Sequence, residues 1–234
     1  MQSTGVSVIV PFYNEQGRMA PFVTDLISYA SARFDVYEII FVNDGSKDKS
    51  VERLSALIKG AENCSIVSYS PNKGKGHAVK IGVEKASGEK IVFADIDGST
   101  KPQYISDVLN ALDNADAAVG ERRSGLKSVK QPFYRSFIRM LFNFYVNLLF
   151  DINVSDSLCG LKGFRRDVAK KLFKDLYSQR WIFDVEILYK ARRMGFNIVE
   201  IPVEWDYRPG SRIKPIDPAL IFVQLLMLRI KCTI

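Results

Sequence analysis

The sequence predicts a single α/β domain whose mostly parallel sheet is covered by helices on both faces. Short runs rich in Val and Ile alternate along the chain with amphipathic segments of helix length, which is the pattern of successive β-α-β units. The chain has 234 residues, 47% of them apolar, so it is long enough to bury one large core and too short to require a second domain.

The predicted elements alternate from the N-terminus. VSVIVP is a continuous apolar run, as expected for a strand that is buried on both faces, and the segment after it reads as a helix. The same pair recurs three more times, and ADAAVGER closes the series as a fifth strand. The predicted strands are 6–11, 37–44, 64–70, 89–97 and 115–122, and the predicted helices are about 15–31, 49–59, 76–86 and 104–114.

Charge and cysteine content narrow the class of partner and the compartment. The 33 basic and 26 acidic residues give a net charge of +7, which favours a nucleotide, a phospholipid surface or a nucleic acid. The basic residues are not interleaved with aromatic ones, so we expect no nucleic acid as partner. Cys64, Cys159 and Cys232 show neither zinc-site nor disulfide-framework spacing, which indicates a reducing compartment.

Hydropathy predicts a chain with no signal peptide and no transmembrane helix. MQSTGVSVIVPFYNE lacks the basic start and long apolar stretch of a signal peptide. No segment reaches the roughly 18 consecutive apolar residues that a spanning helix needs. Two apolar stretches, 132–150 and 219–230, are instead suited to lie in a membrane interface, although a buried core helix or a subunit contact would also explain them.

Polar and glycine residues directly follow four predicted strands. The carboxyl ends of parallel strands meet at one edge of the sheet, where ligands of such folds bind. Taken singly, NDGS at 43–46 could be only a capped turn, and PNKGKG at 71–76 could be only a solvated loop. The four groups are FYNE at 12–15, NDGS at 43–46, PNKGKG at 71–76 and DIDG at 95–98.

The last group predicts a cation site. Asp95 and Asp97 stand two residues apart in a loop, just after the apolar run IVFA. One carboxylate there would suffice to cap a turn, whereas two carboxylates suit a hard divalent cation that takes its other ligands from phosphates and water. A turn with two acidic residues is the alternative.

These segments resemble the family-2 nucleotide-sugar glycosyltransferases, which have the Rossmann-like GT-A fold. The matching motifs are VIVPFYNE (8–15), VNDGSKDKS (42–50), NKGKGHAVKIGV (72–83) and DIDG (95–98). More narrowly, DSLCGLKGFRRDVA (156–169), RWIFDVEILYKARRMG (180–195) and IPVEW (201–205) resemble the polyprenyl-phosphate sugar synthases, which make dolichyl-phosphate glucose or mannose. DIDGST and RWIFD are closer to the glucosyl branch, and the motifs cover nearly the whole chain in the family's order.

The resemblance implies an inverting transfer of one hexose from a nucleotide sugar to a polyprenyl or dolichyl phosphate, with Mg²⁺ or Mn²⁺ as cofactor. UDP-glucose is the favoured donor and GDP-mannose the alternative. A glycan hydroxyl is the alternative acceptor. A nucleotide-sugar-binding or lipid-surface module without turnover is a non-enzymatic alternative, which the intact acidic pair disfavours.

The resemblance also assigns the donor side of the site. It implies that Asp97 ligates the metal directly and that Asp95 contacts either the ribose or the metal through water. A cation there would stabilise the negative charge of the departing nucleoside diphosphate. The other implied donor-binding residues are Pro11, Asn14 and Glu15 around the nucleoside, Asp44 at the base or ribose, and Lys75 at the base or diphosphate.

An acceptor phosphate calls for cations. Its second pKa is about 6, so it is largely ionised at neutral pH and needs no general base. The resemblance places Arg122, Arg135 and the loop of Arg208 and Arg212 near this phosphate, and Arg139 lies close by in sequence. Together with the acidic pair, Arg122 and Arg135 are the implied catalytic residues.

Four more residues are candidates for acceptor binding: Asp156, Arg180, Trp181 and Asp184. Processive relatives carry a Gln-x-x-Arg-Trp signature, but Tyr177 stands where the glutamine would be, which favours a single transfer. Asp184 is expected either to position the substrate or simply to cap a helix. His77, the only histidine, is interpreted as a packing or capping residue.

The sequence therefore predicts a GT-A domain at 1–215, with an interfacial helix at 132–150, and an apolar C-terminal helix at 216–234. We expect a peripheral protein on the cytoplasmic face of a membrane. Whether a separate membrane-anchoring subunit is required is left open.

Overall fold

A computed structural model describes residues 5–124, 133–206 and 217–231, with the backbone alone at 124, 133–139 and 217–222. The described residues form seven strands and eight helices. The strands are β1 (Val6–Phe12), β2 (Tyr37–Asp44), β3 (Cys64–Tyr69), β4 (Lys90–Phe93), β5 (Ala117–Ser124), β6 (Lys162–Arg165) and β7 (Ile198–Trp205). The helices are α1 (Met19–Arg33), α2 (Ser50–Leu57), α3 (Lys75–Lys85), α4 (Tyr104–Ala111), α5 (Phe133–Phe150), α6 (Arg166–Lys174), α7 (Phe183–Arg193) and α8 (Asp217–Lys231).

The seven strands form one mostly parallel sheet in the order β3-β2-β1-β4-β6-β5-β7. β1 pairs in parallel with β2 and β4, β2 with β3, and β5 with β7. β6 runs antiparallel between β4 and β5. The predicted fold class is confirmed, and the five predicted strands are present.

Helices cover both faces of this sheet, as the apolar runs predict. Val8 and Val10 of β1 pack with α1, α2 and α4 on one face, whereas Ile9 packs with α3 and with α5 to α8 on the other. This alternation is the two-residue period of a strand that is buried on both sides. Gly82 of α3 lies so close to Ile9 that a Cβ at position 82 would collide with it.

Three predicted boundaries need correction. β4 ends at Phe93 rather than at 97, because 95–98 turn away from the sheet and Gly98 adopts a φ of +70°. The first helix begins at Met19 rather than at about 15, because 15–18 form hydrogen-bonded turns in which the N–H groups of Arg18 and Met19 bond to the carbonyl of Glu15. β5 is shifted to Ala117–Ser124. β6 and β7 lie in segments for which the sequence motifs were noted and no strand was predicted.

The two apolar helices pack on the same side of the sheet and keep an outer face exposed. Phe142 and Val146 of α5, together with Leu225 and Leu228 of α8, are buried in the core. The C-terminal helix therefore docks on its own domain. Among the described residues, no helix has the length and apolar character needed to cross a membrane.

Candidate active site

The acidic motif begins two residues after β4 ends, at the edge of the sheet where the parallel strands have their carboxyl ends. Beyond Phe93 the chain leaves the sheet, and Asp95 and Asp97 stand in the turn that Gly98 closes. The N–H of Ser99 donates to Oδ1 of Asp97 at 2.9 Å, which fixes that carboxylate relative to the turn. The site predicted for a cation is thus an ordered turn.

The electrostatics of Asp97 fit a divalent cation. Burial raises the pKa of Asp97, and the neighbouring Asp95 carboxylate raises it further. The hydrogen bonds from Ser99 and the charge of Arg18 lower the pKa but do not cancel this rise. A bound cation would relieve this repulsion and favour both ionised forms. In the part of the chain that the structure describes, no group of three or more His, Cys, Asp or Glu side chains could hold a metal ion. A pair of carboxylates suits Mg²⁺ or Mn²⁺ bound together with a diphosphate.

Lys75 pairs with the first acidic residue of the motif. Its Nζ lies 2.6 Å from Oδ1 of Asp95, and the ammonium also lies 6.0 and 5.9 Å from the ring centroids of Phe93 and Phe183. Burial alone would lower the pKa of Lys75, but the charges of Asp95 and Asp184 raise it. The ammonium is therefore kept positive beside the turn, where a diphosphate would also need a cation.

The opposite side of the Asp95 carboxylate contacts the segment before β6. A Cβ at Gly160 would overlap Oδ2 and Cγ of Asp95, so only a glycine leaves room for the carboxylate in this position. β6 brings Gly160 to this place because it pairs with β4, with Lys162 opposite Phe93. The motif at 156–169 thus shapes the acidic motif directly.

A second acid–base pair lies deeper, beneath Asp95 and Lys75. Nζ of Lys162 donates to Oδ1 of Asp184 at 2.5 Å and to the carbonyl of Cys159 at 2.6 Å. The Lys162 side chain is fully buried, and Asp184, in the first turn of α7, is 4% exposed. Asp184 is therefore bound by a protein cation, and its predicted contact with the substrate stays a prediction.

Arg122 and Asp156 form a bidentate pair at the end of β5. Nε of Arg122 donates to Oδ2 of Asp156 at 2.6 Å and Nη2 to Oδ1 at 2.7 Å, while the guanidinium lies 5.6 Å from the Trp205 ring centroid. Burial would lower the pKa of Arg122, but Asp156, with smaller contributions from Cys159 and Asp95, raises it. The structure thus brings Arg122 and Asp156 together near the acidic turn. Arg123 points to solvent and pairs with Glu121.

The loops after β1 and β2 are joined by hydrogen bonds. Asn14, at a φ of +53°, accepts the N–H of Lys47 at 2.7 Å on its Oδ1. Its own N–H donates to Oγ of Ser46 at 2.9 Å. Pro11 is buried near the end of β1. These contacts hold the two predicted donor-binding loops against each other.

Glu15 is held by an arginine that the sequence analysis did not single out. Nε and Nη2 of Arg18 donate to the two carboxylate oxygens of Glu15 at 2.8 and 2.7 Å, and the N–H of Glu15 donates to the buried Oγ of Ser50 at 2.7 Å. The hydrogen bonds of Glu15 raise the pKa of Arg18, and the charge of Asp97 also raises it. Arg18 therefore links the first strand end to the acidic turn.

Asp44 organises the loop after β3. Its carboxylate accepts hydrogen bonds from the Tyr69 hydroxyl at 2.8 Å, from Nδ2 of Asn72 at 2.6 Å, and from the N–H groups of Lys73 and Gly74 at 2.7 to 3.1 Å. Protein donors thus use both of its oxygens. A contact with the base or ribose stays a prediction, and it would share or replace one of these bonds.

The loop before α7 rests on the start of α3. The N–H of His77 donates to the carbonyl of Gln179 at 3.1 Å, and Gly74 lies too close to Arg180 for a side chain at position 74. Arg180 and Trp181 are exposed, with 42% of Trp181 accessible, so both are available to a substrate. The ring of His77 packs edge-on against Tyr69 at 5.1 Å, in agreement with a packing role.

The side chains of the remaining predicted acceptor residues lie outside what the structure describes. Arg135 and Arg139 belong to α5, of which only the backbone is described at those positions. Arg208 and Arg212 fall outside the described residues. Their roles stay predictions.

Sequence reasoning missed three residues of the site: Arg18, Gly160 and Lys162. Arg18 stands three residues after Glu15, a spacing at which an acid and a base commonly pair. Lys162 interrupts the mostly apolar stretch LCGLKGF, and a lysine inside such a stretch is a signal for a buried pair.

Comparisons with known proteins agree with the fold and the motifs. The model of the family described as Glycosyl transferase family 2 matches residues 7–173. A dolichyl-phosphate β-glucosyltransferase from Dictyostelium discoideum is 32% identical over 230 residues, covering 92% of this chain and 70% of that protein. One from Drosophila melanogaster is 34% identical, covering 91% of this chain and 70% of that protein.

Solved structures show the same fold at lower identity. A glucosyl-3-phosphoglycerate synthase from Mycobacterium tuberculosis, crystallised with Mn²⁺, UDP-glucose and phosphoglyceric acid, has a TM-score of 0.71 and is 20% identical. The match covers 96% of this chain and 79% of that one, and the same enzyme has been crystallised with Mg²⁺ and UDP. Because the family model matches residues 7–173, and because a relative is 32% identical over 92% of the chain, the chain belongs to glycosyl transferase family 2.

Proposed function

We propose that this glycosyltransferase transfers one glucose residue from UDP-glucose to dolichyl phosphate or another polyprenyl phosphate, giving a lipid-linked monosaccharide with inverted configuration. The two relatives named above are dolichyl-phosphate β-glucosyltransferases. Their identity of 32 and 34% over nine tenths of the chain supports the glucosyl donor over GDP-mannose.

The proposal that the acceptor is a phosphate rests on the partners of the carboxylates in the site. A hydroxyl acceptor needs a general base, whereas an acceptor phosphate is already ionised. Apart from the acidic motif, four carboxylates that the described residues bring to this edge are each bound by a cation or by several N–H and O–H donors. These carboxylates are Glu15 with Arg18, Asp44 with the loop after β3, Asp156 with Arg122, and Asp184 with Lys162. The arrangement favours a phosphate nucleophile over a glycan hydroxyl.

Different residues would bind the donor and the acceptor. Asp97, with Asp95, would hold Mg²⁺ or Mn²⁺, and the bound cation would supply charge stabilisation to the departing UDP. Lys75 orients Asp95 and adds a positive charge on the donor side. Arg122, held by Asp156 and Trp205, would attract the acceptor phosphate. An oxygen of that phosphate would attack the anomeric carbon from the side opposite the departing UDP, which inverts the configuration.

The exposed faces of α5 and α8 support a membrane surface as partner. The two helices are joined where Nε of Arg229 donates to the carbonyl of Leu149 at 2.8 Å. Solvent-exposed apolar side chains on two neighbouring helices are expected where a protein meets a lipid surface. The exposed side chains are Met140, Leu141, Phe144, Leu148, Val223, Leu226, Met227 and Ile230. The cytoplasmic face, the domain division at 215 and a separate anchoring subunit stay predictions.

A comparison of acceptors tests this proposal. The full chain is incubated with Mn²⁺ and labelled UDP-glucose, together with dolichyl phosphate, dolichol or 3-phosphoglycerate in detergent, each with and without chelator. The proposal expects chelator-sensitive product with dolichyl phosphate alone. Product with dolichol would indicate a hydroxyl acceptor, and product with 3-phosphoglycerate would indicate a soluble acceptor instead of a lipid.

A further inference from the structure

Four charged side chains alternate in sign from the acidic turn into the core. Asp95 pairs with Lys75 at 2.6 Å, and Asp184 pairs with Lys162 at 2.5 Å. The two pairs are neighbours, because the Lys75 ammonium lies 5.9 Å from the ring centroid of Phe183, the residue next to Asp184, so the charge of Asp184 also acts on it. The ring of Phe93 lies within 6.0 Å of both ammonium groups. One carboxylate, Asp184, is thus shared electrostatically by two lysines.

The burial of Lys162 makes the inner pair unusual. Its side chain is fully buried on β6, with Val119 of β5 on one side and Phe93 of β4 on the other. Removing an ammonium group from water is costly unless a partner and hydrogen bonds compensate it. Asp184 and the carbonyl of Cys159 supply that compensation. If the residue at position 162 only had to fill space in the core, an apolar residue of similar length would serve equally well.

The consequence for Lys75 follows from charge balance. With Lys162 in place, the Asp184 carboxylate has a cation of its own, and the Lys75 ammonium remains with Asp95. Without Lys162, Asp184 would be a buried carboxylate without its own cation, and it would still attract the Lys75 ammonium. That lysine would then move inward, and Asp95 would lose the partner that fixes its Oδ1.

We infer that Lys162 is a positioning residue for the donor site: by neutralising Asp184 it keeps Lys75 on Asp95, and so holds the acidic motif in the orientation that binds a divalent cation with a nucleoside diphosphate. The inference rests on the proposed donor-binding role of Asp95. It gives Asp184 an internal role between two lysines.

The first test measures the affinity of the full chain for UDP in the presence of Mn²⁺ by titration calorimetry, with unfolding temperature and circular dichroism as folding controls. Met has the unbranched length of Lys without its charge, so Lys162→Met is the test variant. Loss of a residue that orients a metal-binding carboxylate typically lowers affinity by about 10-fold to 100-fold, and this is the expected result. Lys90→Met is the matched control, because Lys90 also bonds an acid, Asp113, and a carbonyl, that of Leu109, but at the far end of β4. Its affinity should equal that of the parent.

The second test removes the cause of the defect. In an Asp184→Asn background Lys75 has no competing carboxylate, so adding Lys162→Met should change the affinity by about twofold at most, the usual limit for uncoupled sites. The same double variant should bind more tightly than Lys162→Met alone. Folded Lys162→Met with the parent's affinity, or a further large loss in the Asp184→Asn background, would overturn the inference. UDP binding needs no acceptor, so an error in the proposed lipid would not alter this comparison.

Discussion

The α-carbon of Gly160 lies against the carboxylate of Asp95, where any Cβ would overlap Oδ2. The two residues are 65 positions apart, and they meet because β6 inserts antiparallel beside β4. The family motif that contains Gly160 and the acidic motif are therefore parts of one site. The contact with Gly160 limits where Oδ2 of Asp95 can lie, and Lys75 pairs with the other oxygen, Oδ1. Together they fix the orientation of the carboxylate.

Gly160→Ala should weaken the donor site without unfolding the protein. The added methyl group would displace the Asp95 carboxylate, so we expect affinity for UDP with Mn²⁺ to fall by about 10-fold or more, as for other changes that misorient a ligand. Titration calorimetry measures this directly. Gly17→Ala is the control, because nothing lies within 4 Å of a Cβ at position 17. Equal losses in both variants would contradict the account.

Asp97→Asn should abolish the dependence on metal. The amide is a poorer ligand for a hard cation, and we expect glucosyl transfer to fall by about 100-fold or more, as when one group that stabilises transition-state charge is removed. Mn²⁺ with UDP should raise the unfolding temperature of the parent and leave that of the variant unchanged. Asp107→Asn, an exposed acid of α4, is the control. Retained Mn²⁺-dependent stabilisation in Asp97→Asn would place the metal elsewhere.

Arg122→Lys should lower transfer although the charge is kept. Lysine cannot make the bidentate bond to Asp156, and a hydrogen bond to a charged group contributes about 1.5–3 kcal/mol, so about a tenfold loss or more is expected. The loss should appear mainly as a higher KM for the acceptor lipid in steady-state kinetics. Arg123→Lys is the natural comparison, since Arg123 is exposed and pairs with Glu121. If both variants behaved alike, the acceptor role of Arg122 would be lost.

Phe144→Ser combined with Leu148→Ser should release the protein from lipid. Both side chains are about 70% exposed on the outer face of α5, so the change removes apolar area from the proposed membrane surface and leaves the core unaltered. Co-sedimentation with phospholipid vesicles measures the effect. Val36→Ser removes an apolar side chain of 49% exposure just before β2 and should leave binding unchanged. Unaltered sedimentation of the double variant would exclude this face.

His77 should titrate below the ordinary histidine value of 6.5. Burial lowers its pKa, as does the charge of Lys73, and the smaller contributions of Asp44 and Glu84 oppose them. The folded state thus binds the proton less readily than the unfolded state. The contribution of His77 to stability is present above pH 6.5 and is lost as the pH falls through the folded-state pKa.

The chain has one histidine, so its ring protons can be followed by NMR without assignment. Lys73→Met removes a like charge and should raise the pKa of His77. Lys59→Met, an exposed lysine between α2 and β3, should not change it. A pKa above 6.5 in the parent would contradict the burial of the His77 ring beside the Lys73 charge.

The sequence predicted the parts of the site that follow strands, because the apolar runs locate the strand ends and parallel strands share one edge. Asp95, Asp97, Lys75 and Asp44 are located at the edge in this way, and their binding roles stay predictions. Gly160 and Lys162 were not, since no local pattern reveals that β6 runs antiparallel between β4 and β5. Periodicity also extended the fourth strand to 97, whereas the chain leaves the sheet after Phe93.

A parallel comparison of donors tests the proposed reaction directly. Labelled UDP-glucose and GDP-mannose are each incubated with the full chain, Mn²⁺ and a short polyprenyl phosphate in detergent, and the lipid product is isolated and its anomeric configuration determined. We expect a β-linked glucosyl phosphate lipid from UDP-glucose and no product from GDP-mannose. A mannosyl lipid would contradict the donor, and hydrolysis of UDP-glucose without any lipid product would contradict the acceptor.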